Sequence, residues 1–269
     1  MTAVHKAGLS VIDSSRAVSA LFYFGIAIVV WMYTRSWLSL IVLILPETMI
    51  LGQANEPDGM SVFFLLFGFW LVFVKRRDLG LLVLLLSVWV RPENALLCLL
   101  TIVVLVFDGR LDGYSAAVLA ALCVGSEVLI NHYGYPWQEL YNHMIGGEPG
   151  TGTALHLSDY LRTLMKGVHD VLHSTVPIFA LLWLICFPKM TPDLRRIMGI
   201  TLLFSVARFV VFPPYEPRYY GLFFVTTAIA SVLAVKDGSY QRMITEQLRR
   251  IPRVSFFGRR SYPYPSTSA

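Results

Sequence analysis

The sequence predicts an all-α, polytopic membrane bundle of about nine hydrophobic segments, with one external loop carrying an amphipathic helix. The first observation behind this is composition: 56% of the 269 residues are hydrophobic and only 14% charged, and mean hydropathy is +0.62. A soluble domain carries roughly a quarter charged residues. The second is the recurrence of apolar runs, several close to the roughly 17–25 residues that a bilayer-crossing helix needs. The third is the placing of Lys and Arg, which cluster in alternate gaps between runs, as cytoplasmic loops do.

The runs lie at 17–33, 37–51, 59–74, 78–90, 94–107, 113–132, 173–188, 197–212 and 219–236. Runs 78–90 and 94–107 meet at Arg91-Pro92-Glu93 and read either as two short helices or as one kinked helix. Charge parity favours two. With the N-terminus outside, the inside gaps hold Arg35, then Lys75, Arg76 and Arg77, then Arg110, then Lys189, Arg195 and Arg196. The inside tail adds Lys236, Arg242, Arg249, Arg250, Arg253, Arg259 and Arg260, so most of the 22 Lys and Arg share one side. Merging 78–107 into one span would put the Lys75 and Lys189 clusters on opposite sides.

Two units follow. Residues 1–236 form a transmembrane domain with an external loop at 133–172, and 237–269 form a basic, partly disordered cytoplasmic tail. The first half of the loop is rich in Gly and Pro, which favours turns. From Ser158, residues Leu157, Tyr160, Leu161, Leu164, Val168, Val171 and Leu172 recur at helical spacing with Arg162, Lys166 and Asp170 on other faces. That pattern suits a helix lying in the membrane interface, or equally one packed on the rest of the protein. The first sixteen residues are polar, so a cleavable signal is not expected. An N-out start instead leads to the expectation of a preceding helix and external loop outside this chain. Cys98, Cys123 and Cys186 all fall in apolar runs without a CxxC pair and read as core residues. The formal charge of +5 follows loop topology and gives no sign of a nucleic-acid partner.

Polar chemistry concentrates at the outward turns. These are 52–58 with Glu56 and Asp58, 91–93 with Arg91 and Glu93, and 213–218 with Glu216 and Arg218 followed by Tyr219 and Tyr220. Glu47 ends its run on the same side. Glu127 and Arg208 each lie four or five residues from the outer end of an apolar run, about 6–8 Å deep at 1.5 Å per residue. Charges at such depth pair or line a polar cavity, and these two are an obvious pair. The sum is a two-signed cavity opening outward.

Glu-Pro-Asp-Gly before an apolar run, then Lys-Arg-Arg, another run, and Arg-Pro-Glu resemble the pattern of polytopic GT-C-type glycosyltransferases. The protein mannosyltransferase and aminoarabinose transferase kind are examples. Asn131-His-Tyr-Gly-Tyr-Pro-Trp137 and Glu216-Pro-Arg-Tyr-Tyr220 are similar to their external loop and late Arg-Tyr turn, so the resemblance spans about residues 14–236. It implies sugar transfer at the external face from a polyprenyl-phosphate donor to a glycan, lipid or protein acceptor. The absence of disulfide pairs and the short loops suggest a bacterial inner membrane, and the Lys and Arg count sets the C-terminus cytoplasmic and the N-terminus external.

Such transfer needs a carboxylate base, for which Glu56, Asp58 and Glu93 are the candidates. It needs cations for the departing phosphate, for which Arg218, Arg91 and Arg208 are the candidates. Glu216, Tyr219, Tyr220, Glu127 and Glu47 would shape the pocket. A divalent metal is not indicated: His132, His143 and His156 lack ligand spacing. The family's key acid sits in the first external loop, upstream of this chain's first run. A saccharide polymerase or flippase-like protein and a non-catalytic membrane subunit are the competing readings.

Overall fold

A computed structural model describes residues 11–53, 58–133, 157–211 and 217–238. These residues are helical, with no strand among them. The elements are α1 (Val11–Thr34), a 3-10 helix (Trp37–Ile44), α2 (Pro46–Gln53) and α3 (Asp58–Trp70). A π turn (Leu71–Lys75) closes α3, and α4 (Arg77–Val90), α5 (Asn94–Phe107) and α6 (Gly113–Tyr133) follow. Then come α7 (Leu157–Leu172), α8 (Val176–Cys186), α9 (Pro192–Val211), a 3-10 turn (Pro217–Tyr220) and α10 (Gly221–Lys236).

By length and composition, Ser15–Thr34, Asp58–Lys75 and Gly113–Ile130 can each cross a membrane. A fourth span arises if the bent pair Tyr160–Leu172 and Val176–Lys189 counts as one. This is fewer than the nine hydrophobic segments because several of those are short or broken. Helices α4 and α5 have 14 residues each, or about 21 Å, against a hydrocarbon core of about 30 Å. Run 37–51 is not one helix: Leu45 is extended between the 3-10 stretch and Pro46, where proline opens α2 as an N1 residue. Run 197–212 starts earlier than its hydropathy suggests, at Pro192 with Asp193 in the first turn.

Side-chain contacts fix the directions. Ser19 lies beside Gly59, Gly25 against Phe63, and the Tyr33 hydroxyl donates to the Leu66 carbonyl at 3.0 Å, so α1 and α3 run parallel. The chain between them must therefore return, and it does so along α1, with Trp37 near Trp31 and Gly52 against Tyr23. Helices α4 and α5 form an antiparallel hairpin: the Cys98 thiol donates to the Leu84 carbonyl at 3.1 Å. The two-helix reading of 78–107 therefore holds. Phe179 meets Phe224 at 4.7 Å between ring centroids and Cys186 meets Ser231 at 3.7 Å, so α8 and α10 are parallel with α9 returning between them. Helix α10 is central: residues Gly221 to Ala230 are all buried. Its Gly, Ala and Thr residues let neighbouring backbones approach closely.

These directions sort the polar ends into two groups. At one, Arg196 bridges Asp108 at 2.6 Å and Asp193 at 2.8 Å, Arg110 bridges Asp193 at 3.0 Å, and Arg77 donates to the Arg110 carbonyl. Lys236 donates to the Thr34 carbonyl at 3.1 Å. These are the gaps that charge parity assigns to one side. Gly109, at φ +65°, ends α5 in a Schellman turn, with its N–H on Val106 and that of Arg110 on Leu105.

Asp112 caps α6 by accepting from the Ser115 N–H at 2.9 Å. Hydrogen bonds from Ser115 hold its carboxyl below the usual aspartate value. A depressed folded pKa means that the cap's contribution is full above about pH 4, the unfolded value. It is lost as pH falls through the folded value. The protection of first-turn amides of α6, relative to their intrinsic exchange at the same pH, should therefore fall below about pH 4 in the wild type, whereas in Asp112→Ala it should be low already at neutral pH. Equal protection in the two proteins at neutral pH would refute the cap.

Candidate functional site

At the opposite end, four charged side chains form an alternating chain. Arg91 bridges Asp58 and Glu93 at 3.2 Å, and Glu93 meets Arg208 at 3.6 Å. Local folding brings them together. Asp58 opens α3, where a carboxylate complements the N-terminal dipole. Pro92 ends α4 and lets the chain reverse, with Ala95 and Leu96 donating back to the carbonyls of Pro92 and Glu93. Asn94 then pins the turn, donating to the Ser61 hydroxyl at 2.8 Å and to the Ser87 carbonyl at 2.9 Å. Arg208 arrives from α9, 5% exposed.

Burial decides what this network can do. Asp58 is 1% exposed, and a buried charge is tolerable only when paired. Arg91 is held between two carboxylates.

Beside the chain lies a cleft of about 400 Å³ between α5, α6 and α9. Pro92, Ala95, Leu96, Phe204, Ala207 and Val211 make its walls apolar, and Glu93, Glu127 and Arg208 are its charged lining. Glu127 and Arg208 thus line one cleft, and Arg208 also meets Glu93. Glu127 lies 14 residues into α6 and Arg208 16 into α9, or about 21 and 24 Å from the helix starts. Leu96 and Val211 at the rim are exposed. So is most of α6, of whose span only 11% is buried.

The remaining candidates fall elsewhere. Asp58 and Arg91 stand behind the cleft rather than in its lining. Tyr220 is buried in an aromatic cluster with Phe179, Phe223 and Phe224. Glu47 lies in α2 and Arg218 and Tyr219 in the turn Pro217–Tyr220, but their side chains are outside the described set, as are Glu56, Glu216, His143 and His156. His132 is exposed at the end of α6. No group of three metal-ligating side chains occurs among the described residues. Sequence reasoning did not single out Asn94, Ser61 and Ser87, the residues that set the turn. The legible signal was Asn94 itself, a polar residue opening an apolar run straight after Arg-Pro-Glu.

Several of the helices are therefore long and apolar enough to cross a membrane, and a two-signed buried network with an apolar cleft lies at one end of the bundle. No family model, curated protein or solved structure matches the chain.

Proposed function

We propose that this chain is a polytopic membrane protein of the GT-C-like kind, transferring a sugar from a polyprenyl-phosphate donor to an acceptor at the external face. The observation that carries the reading is the convergence of Glu93, Glu127 and Arg208 on one cleft with otherwise apolar walls. An isoprenoid tail matches such walls, and a guanidinium matches phosphate geometry.

A nine-crossing topology is part of the proposal. The parallel pairs α1 with α3 and α8 with α10 each require a returning segment between them. The return through 37–53 consists of two pieces of 8 residues. The 3-10 piece contributes about 16 Å and α2 about 12 Å, together close to the thickness of about 30 Å that must be crossed. The N-terminus would face outward and the C-terminus the cytoplasm.

In the transfer step, an acceptor hydroxyl attacks the anomeric carbon and gives its proton to Glu127 or Glu93. The bond from that carbon to the phosphate oxygen breaks, and the electron pair leaves on the phosphate. Arg208 lies where it would meet that growing charge. Arg91, clamped by Asp58, holds Glu93 in place. Arg218 remains the candidate for a second phosphate contact.

A second reading, the non-catalytic subunit, draws on the Asp58–Arg91–Glu93–Arg208 chain, whose charges compensate one another and tie α3, the 91–93 turn and α9 together. The protein in lipid nanodiscs, given a polyprenyl-phosphate sugar and membrane acceptors, separates the two. Transfer should be measurable and should fall by about 10²–10⁴ in Glu127→Gln or Glu93→Gln, the effect of removing a general base. Full-rate transfer by both variants would rule out this site. No transfer by wild-type protein that copurifies with a partner would favour the subunit.

A further inference from the structure

Helix α7 carries three separate rows of side chains, and the middle one is exposed and apolar. Tyr160, Leu164, Gly167 and Val171 are buried or half-buried, and they form the row that faces the bundle. The Tyr160 hydroxyl donates to the Val210 carbonyl at 2.5 Å, which ties α7 to the end of α9 beside the cleft. One residue on, at 100° around the helix, Leu161, Met165, Val168 and Leu172 are 47%, 69%, 37% and 63% exposed. A further 100° on, Arg162, Lys166, His169 and His173 form an exposed polar row.

We infer that α7 lies in the membrane interface at the cleft-bearing end of the bundle, with the Leu161–Leu172 row against lipid acyl chains and the Arg162–His173 row among the headgroups. Continuity with the neighbouring helix identifies the occupant. Ile178, Leu181 and Leu184 form an exposed apolar row on α8, a helix whose residues Val176–Cys186 include no charged side chain. The chain bends by 68° between the two helices. Ser174 makes that bend, accepting from the Val176 N–H at 3.1 Å and donating to the Val171 carbonyl at 2.7 Å, with Pro177 in the next turn.

Exposed apolar rows thus stand on both sides of the bend, which suits a helix lying in the interface that leads into an apolar helix entering the bilayer. The order of the rows agrees: the apolar row sits between the protein-facing row and the cationic one, as a helix resting on acyl chains with its cations at phosphate depth requires. A helix packed on protein along this face would have buried Met165. This inference is independent of the transferase reading and stands if no sugar is transferred.

The test uses the full chain in vesicles of phosphatidylcholine and phosphatidylglycerol. Single cysteines are introduced at Leu161, Met165, Val168, Arg162, Lys166 and His169 and labelled with an environment-sensitive fluorophore. Cys98, Cys123 and Cys186 are buried and escape labelling. Labels at 161, 165 and 168 should show blue-shifted emission, quenching by brominated acyl chains and protection from iodide. Labels at 162, 166 and 169 should show the reverse. Protection of the 165 row from both quenchers would mean that protein covers it. Iodide access equal at 165 and 166 would place the helix in water. Acyl-chain quenching of both rows would place it inside the bilayer core. Each of these three results overturns the inference.

Discussion

Arg91→Met is expected to destabilise the protein by about 3–5 kcal/mol, the cost of removing one partner from a buried ion pair. Arg91 stands between Asp58 and Glu93, and the Asp58 side chain is 1% exposed. Without the guanidinium, Asp58 must either ionise in a site that water barely reaches or take up a proton. Glu93 keeps Arg208 at 3.6 Å, so the loss should come mainly from Asp58. Asp58→Asn in the same chain should recover part of it, with a coupling energy of about 0.5–3 kcal/mol. Denaturant unfolding of the four proteins in one detergent measures the cycle. A loss under about 1 kcal/mol for Arg91→Met would mean that the pair behaves as a solvated surface bridge. Because this substitution acts on folding, it is a poor probe of catalysis; Glu127 and Glu93 at the cleft are the better ones.

Gly80→Ala should cost about 1–3 kcal/mol through overpacking. A Cβ at Gly80 would lie 2.4 Å from the Val72 nitrogen and 2.8 Å from the Gly68 carbonyl oxygen. Both are backbone atoms, so no side chain can turn aside, and α3 and α4 must move apart. Gly125 in α6 is the control, because a Cβ there meets nothing within 4 Å. Gly125→Ala should leave stability unchanged or raise it by up to about 1 kcal/mol, the helix preference of alanine over glycine. Equal effects at the two glycines, measured by the same unfolding assay, would mean that the α3–α4 crossing is looser than its geometry. Close approach through small residues is a main source of helix association where lipid tails compete for apolar contact.

The fold was legible where hydropathy and breakers agreed. The boundaries of α4 and α5 follow from Arg76 and from Arg91-Pro92-Glu93, because proline and clustered charge stop a helix locally. Parity chose the hairpin over one kinked helix, since Lys and Arg report the side of each gap. The site was legible in part. Glu127 and Arg208 could be set at one depth because the rise per residue is fixed. The contact of Arg208 with Glu93 could not be read, because depth says nothing about azimuth. In the fold Glu93 reaches Arg208 across the turn, and Glu127 faces the same cleft from α6.

By itself the sequence determined the helical class, the apolar segments, the amphipathic helix and how far along their helices Glu127 and Arg208 lie. All are set by local periodicity and rise. Only the tertiary structure decided that Arg91 meets Asp58 and Glu93, that Tyr220 is core, and that the apolar row of α7 is exposed. Those outcomes depend on which helices become neighbours and at what rotation, a choice made by packing between segments far apart in the chain.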